Sequence, residues 1–145
     1  MADVEPVLRV ETADASGSWL LGEPVVVFED NMFRRVSMMI IDESLSAAAD
    51  VQLSLMDEPP LDRFLVGLAD SWQGWPGTRV WRALERHLEL DARHDGSGHV
   101  TLGVTLKSRR HRRRVEDWCA RTSLIIEAGE QMRQLAQDVK SLLDW

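Results

Sequence analysis

Two seven-residue segments that alternate apolar and polar side chains, joined by a glycine-rich reversal, constrain this chain more than any other feature. In His87–Arg93, Leu88, Leu90 and Ala92 share one face while Glu89, Asp91 and Arg93 share the other. A period of two is what a half-buried strand requires, because successive side chains point to opposite sides of a sheet. Val100–Leu106 answers it, with Val100, Leu102, Val104 and Leu106 facing in and Thr101, Gly103 and Thr105 facing out. Between them lies His94-Asp-Gly-Ser-Gly-His99, whose two glycines supply the positive φ of a tight reversal. The segment predicts a β-hairpin with one face buried.

Further strands are expected at Val7–Glu11, Ser18–Leu21, Val25–Glu29, Phe33–Ile41 and Val51–Met56, separated by Gly17, Gly22, Pro24 and the Asp30-Asn31 turn. In Val36-Ser-Met-Met-Ile-Ile41 both faces are mostly apolar, which predicts a central strand covered on both sides. Val115–Ile126 is long for one strand and predicts a bend near Arg121 or Thr122. Helical spacing appears twice. Leu61, Phe64, Leu65, Leu68, Ala69 and Trp72 form one stripe, opened by Pro59-Pro60 and closed by Gly74. Met132, Leu135, Ala136, Val139, Leu142 and Leu143 form the other, with Gly129 and Glu130 at its start. The order is about five strands, a helix, about four strands and a helix. The fold class expected is α+β, a mostly antiparallel sheet or partly closed sandwich of about 8–9 strands with two helices packed on it.

The 145 residues suit one domain, 1–145, able to bury a core without metal or disulfide. The longest stretch without Asp, Glu, Lys or Arg is Gly96–Leu106, too short for a membrane-spanning helix, so no membrane association is expected. The acidic start Met-Ala-Asp-Val-Glu-Pro lacks the apolar core of an export signal, and the lone cysteine, Cys119, has no partner for an internal disulfide. Both features lead to an expected cytoplasmic location. Cys119, alternating away from Trp118, is expected to be a small buried hydrophobe.

Charge is unevenly laid out. Residues 1–62 hold 13 acids against Arg9, Arg34 and Arg35, a balance of −10, whereas residues 63–145 sum to +3. Within the second part the run Lys107-Ser-Arg-Arg-His-Arg-Arg-Arg114 alone carries +6. A body this acidic repels phosphate backbones and steers basic partners toward itself. The basic run could grip nucleic acid or an acidic protein, although no aromatic residue interleaves it to stack on bases. Its plain identity is a solvated loop between strands.

Two other places hold candidate residues. Trp72, Trp75 and Trp81 with Gly74 and Gly77 read mainly as core and turn, with Trp75 expected to be the partly exposed one. At the hairpin tip His94, Asp95 and His99 include common metal ligands but lack the spacing of a metal site, and Asp95 suits the turn's own amides. No metal and no cofactor is expected. The motifs of nucleophile elbows, phosphate loops, zinc proteases and dinucleotide folds are absent. The candidate partner-binding residues are therefore Trp75, Asp95, Arg109, Arg110, Arg112, Arg113 and Arg114.

The second half also carries a resemblance. Trp72-x-Gly74-Trp75-x-Gly77-x-Arg79-x-Trp81-x-x-Leu84 precedes the hairpin with its Asp95-Gly-x-Gly98-His99 tip, and Trp118, Gly129-Glu130 and the final helical stripe follow. This order, over about residues 61–145, resembles a family of small uncharacterised actinobacterial proteins classed as a domain of unknown function. More distantly it is similar to WapI-type immunity proteins, which neutralise a toxin of the same cell lineage. The closer family carries no known activity; the −10 balance of residues 1–62 together with the distant resemblance leads to an expected non-catalytic protein-binding module, with a basic toxin as its partner in the immunity case. The alternatives are a nucleic-acid-associated regulator working through residues 107–114 and an enzyme with a site assembled only in space.

Overall fold

The computed structural model describes residues 5–108 and 118–145, which form nine strands in two antiparallel sheets and two helices, an α+β fold. The first sheet contains β1 (Pro6–Glu11), β2 (Ser18–Gly22), β3 (Val25–Val26), β4 (Phe33–Asp42) and β5 (Leu45–Ser54). The second contains β6 (Thr78–Arg82), β7 (Leu88–His94), β8 (His99–Ser108) and β9 (Trp118–Glu127), in that spatial order. α1 (Leu61–Asp70) joins the sheets and α2 (Glu130–Leu143) closes the chain. Neither sheet closes into a barrel among the described residues.

β4 is the centre of the first sheet, with β2 and β3 along one side and β5 along the other. Its inward face, Val36, Met38 and Ile40, is fully buried; Ser37, Met39 and Ile41 on the other face are only half-covered. The central position matches the sequence, but the second face is not sealed. β5 departs more. It begins at Leu45 rather than Val51, because a two-residue turn after Asp42 returns the chain along the whole length of β4. Ala47-Ala48-Ala49 carries no alternation from which that pairing could be read. β3 shortens to two residues and Phe28 leaves the ladder to pack edge-on against Phe33, ring centroids 5.1 Å apart.

The hairpin β7–β8 has the expected register, Leu90 opposite Val104 and Ala92 opposite Leu102, and turns through Gly96 (φ +78°) and Gly98 (φ +88°). β9 pairs with β8 without interruption from Trp118 to Glu127, so the bend expected near Arg121 or Thr122 does not occur. A ten-residue partner strand holds the whole of β9 straight. Residues 115–117 of the expected strand lie outside the described residues.

α1 starts behind Pro60 as expected but ends at Asp70, where the Ser71 amide bonds to the Gly67 and Leu68 carbonyls. Trp72 therefore leaves the helical stripe, and Gly74 (φ +123°) shapes the turn beyond it. At the start of α2 the Glu127 carboxylate accepts the amides of Gly129 (2.7 Å) and Gln131 (3.1 Å). These bonds hold its pKa below the usual value, the Gln131 amide contributing most. The inward faces of both sheets share one hydrophobic core with Leu61, Leu65 and Leu68 of α1 and Met132, Leu135, Ala136, Val139 and Leu143 of α2. Among the described residues no helix is long and apolar enough to cross a membrane.

Candidate functional site

Arg34 stands on β4 in phase with Val36, Met38 and Ile40, so the strand's own alternation drives a cation into the core, where it is 4% exposed. Its partners are carbonyl oxygens. Nε donates to Leu143 (2.9 Å) and Nη2 to Asp144 (3.0 Å), while Nη1 donates to Phe33 (3.1 Å) and Asn31 (3.2 Å). The last carbonyls of a helix have no intrahelical donor and carry the negative end of its dipole, so α2 ends where a buried guanidinium is best accommodated. Asp144 turns left-handed at φ 48°, and the chain folds back so that the Trp145 ring lies 5.4 Å from the Arg34 guanidinium carbon. The Trp145 indole N–H donates to Asp62 of α1 (3.3 Å).

Trp145 thereby becomes one wall of an open groove of about 480 Å³ along α1. Val66 and Leu55 supply exposed apolar surface, Gly67 leaves an open floor, and Arg63, Asp70 and Lys140 stand at the rim. Its size is that of sites that receive a small ligand or one or two side chains. The turn leading into α1 is fixed by Asp57, whose carboxylate accepts the amides of Ser54 (2.9 Å) and Leu84 (3.0 Å) and so ties β5 to the β6–β7 turn. Burial pushes the Asp57 pKa up, partly offset by those two amides.

The residues singled out from the sequence lie elsewhere. Trp75 is buried, not exposed: its indole N–H donates to Ala92 O (3.2 Å), and Arg79 covers its face with the guanidinium carbon 4.6 Å from the ring centre. The exposed tryptophan is Trp72. His94 packs edge-on to Trp75, accepts the Gly96 amide at Nδ1 (2.9 Å) and so donates from Nε2 to Trp72 O (2.9 Å). Asp95 holds the hairpin tip, accepting the amides of Ser97 (2.6 Å) and His99 (3.0 Å), bonds that keep its pKa below the usual range. Trp75 and Asp95 share this end of the second sheet and belong to its packing and turn. Arg109, Arg110, Arg112, Arg113 and Arg114 lie outside the described residues. Lys107, the first base of that run, pairs with Glu89 at 2.7 Å, and Arg82 takes the other oxygen of the same carboxylate at 2.7 Å.

Cys119 is exposed, on the outward side of β9, contrary to the burial expected of it. The inward positions of that strand go to Trp118, Ala120, Thr122, Leu124 and Ile126, which leaves Cys119 the opposite phase. Arg34 and Trp145 were not among the candidates. The signal for Arg34 was its phase with Val36, Met38 and Ile40; none in the sequence placed Trp145 beside α1.

Residues 11–145 match a family described as a family of unknown function, DUF6228, and the chain belongs to it. The match extends well before residue 61, so β2 to β5 lie within the family's common sequence as do the hairpin and the final helix. No curated protein matches the chain, and no solved structure does.

Proposed function

We propose that this chain is a non-catalytic protein-binding module that draws a basic partner to its acidic first sheet and seats an apolar side chain of that partner in the groove beside α1. One observation carries the reading: Arg34, one of the three bases in residues 1–62, is enclosed in the core. Glu5, Glu11, Asp14, Glu23, Glu29, Asp30, Glu43, Asp50 and Glu58 remain exposed, and Arg9 and Arg35 are the other bases of residues 1–62. Arg9 is itself paired with Glu11 at 3.7 Å. The surface of this half is thus left strongly acidic. Such a field raises the encounter rate with basic proteins, while the groove supplies the desolvated contact that gives affinity.

The test is calorimetric titration with a short helical peptide of leucine and lysine, against its leucine and glutamate counterpart. Saturable binding of the lysine peptide alone, weakened about tenfold between low and high salt, supports the reading. Its loss in Val66→Asp with folding intact places the contact in the groove. Equal binding of both peptides, or no binding of either, contradicts the reading. Immunity against a basic toxin is its narrower form, motivated by the −10 balance of residues 1–62 and by the resemblance read from the order of motifs over residues 61–145. Co-expression with toxins encoded beside the gene tests it: neutralisation supports immunity, and failure of every one to be neutralised or co-purified removes it.

A further inference from the structure

An edge strand exposes a row of unpaired amides and carbonyls, and proteins ordinarily blunt such edges. Most strand edges here are managed in recognisable ways. β1 carries Pro6 and an irregular register between Pro6 and Leu8, β3 is two residues long, and β6 is five residues with Arg79 and Arg82. On the free side of β9, Ile125 donates its amide to Thr12 Oγ1 (2.9 Å) and accepts the Ala13 amide (3.0 Å). β5 differs. It runs ten residues in unbroken register with β4, holds Asp50 as its one charged residue, and has no proline.

The phase of its hydrogen bonds is fixed at the C-terminal end. The Leu55 amide bonds to Met32 O across the sheet, so Leu45, Ala47, Ala49, Val51 and Leu53 also direct their backbone groups toward β4. Ser46, Ala48, Asp50, Gln52 and Ser54 direct theirs outward. Ser54 is answered internally: Asp57 Oδ2 accepts its amide and the Asp57 amide donates to its carbonyl. For the other four, no strand pairs on the outer side among the described residues.

We infer that this edge pairs with the same edge of a second copy, antiparallel about a two-fold axis through Ala49. That register matches Ala48 with Asp50 and Ser46 with Gln52 of the other copy, so all four outward residues exchange backbone bonds and the ladder stops where Asp57 closes it. Toward the core side it sets Ala49 against Ala49, Ala47 against Val51 and Leu45 against Leu53; toward solvent no two like charges meet. An isologous contact must be complementary to itself in this way. The occupant is an extended strand because backbone donors and acceptors are what the edge presents.

Sedimentation over a concentration series tests the inference, with a limiting mass of twice 16.5 kDa as the expected result. Ala48→Glu puts carboxylate opposite carboxylate twice and weakens the dimer at least about tenfold; Ala48→Lys puts an ammonium opposite Asp50 and does not weaken it. Position 48 lies on the half-exposed face, and thermal unfolding reports whether each variant folds. The register is checked independently by Ala49→Cys in a Cys119→Ser background. A directly opposed pair about 4.5 Å apart at Cα is within disulfide reach, so it cross-links on mild oxidation and Ala47→Cys does not. A monomer at every concentration, equal effects of glutamate and lysine at position 48, or cross-linking at 47 rather than 49 would each overturn it.

Discussion

Asp91 on β7 and Arg121 on β9 join across the strand between them, Arg121 Nη2 bonding Asp91 Oδ1 at 2.8 Å and Nε bonding Oδ2 at 3.2 Å. The bond passes directly over Gly103 of β8, where a Cβ would overlap both groups. Asp91, Gly103 and Ser123 sit in one cross-strand row, and the absent side chain opens the channel through which the two charged ones meet. The aspartate holds the Arg121 pKa above its usual value, chiefly through the hydrogen bond.

Gly103→Ala is expected to part this pair. Both side chains are long or exposed enough to swing outward, so the cost is small, under about 1 kcal/mol, as for other surface ion pairs. Denaturant unfolding checks it by a double-mutant cycle: Asp91→Asn destabilises the native sequence slightly and leaves the Gly103→Ala variant unchanged.

Arg34→Met is expected to be severe, about 3 kcal/mol, because the buried carbonyl of Leu143 and the part-buried carbonyls of Asp144, Phe33 and Asn31 lose their donor. Arg34→Lys restores only part of this, since an ammonium cannot reproduce the planar fork. Hydrogen exchange would show the last turn of α2 unprotected first, with the remainder following.

The two tryptophans of the β6 approach should part company. Trp75→Ala removes a buried ring packed under Arg79 and costs about 3–5 kcal/mol; Trp72→Ala, at an exposed ring, stays within about 1 kcal/mol. Thermal unfolding of the two variants is sufficient.

Asp57 sets a pH dependence of unusual sign. Its folded pKa lies above its unfolded one, so it binds a proton more readily in the folded state. Its contribution is complete below the ordinary carboxylate pKa and is lost as pH rises through the higher, folded value. Asp14, Asp42, Asp95 and Glu127, all shifted down, act in the opposite sense: their contributions are present above the ordinary carboxylate range and lost as pH falls through their lowered values. Asp57→Asn should therefore steepen the gain in stability on raising pH from about 3 to about 6. At neutral pH it costs about 1–2 kcal/mol, because an amide can offer only one oxygen to the two backbone donors of Ser54 and Leu84.

What could be read from the sequence follows from how local each feature is. The β7–β8 hairpin was legible because both strands alternate and the glycines between them admit one reversal. The two helical stripes were legible for the same reason, although Trp72 continued the period of α1 past the point where Ser71 ends it. β5 was half hidden, since three successive alanines have no polar face and only the return from β4 pairs them. The groove was not legible at all. It depends on Arg34 reaching Leu143, 109 positions away, and Trp145 reaching Asp62, 83 away. The burial of Trp75 was not legible, because the glycines and proline around it describe a turn, whereas its cover comes from Arg79 in the next strand.

The central claim, that the groove walled by Trp145 receives an apolar group from a basic partner, is tested most directly by the indole N–H resonance of Trp145. On titration with the leucine and lysine peptide it should shift saturably, together with the amides of Val66 and Gly67, and should stay still with the glutamate counterpart. A peptide that binds while these resonances remain fixed, or that moves only signals of the second sheet, would contradict the account.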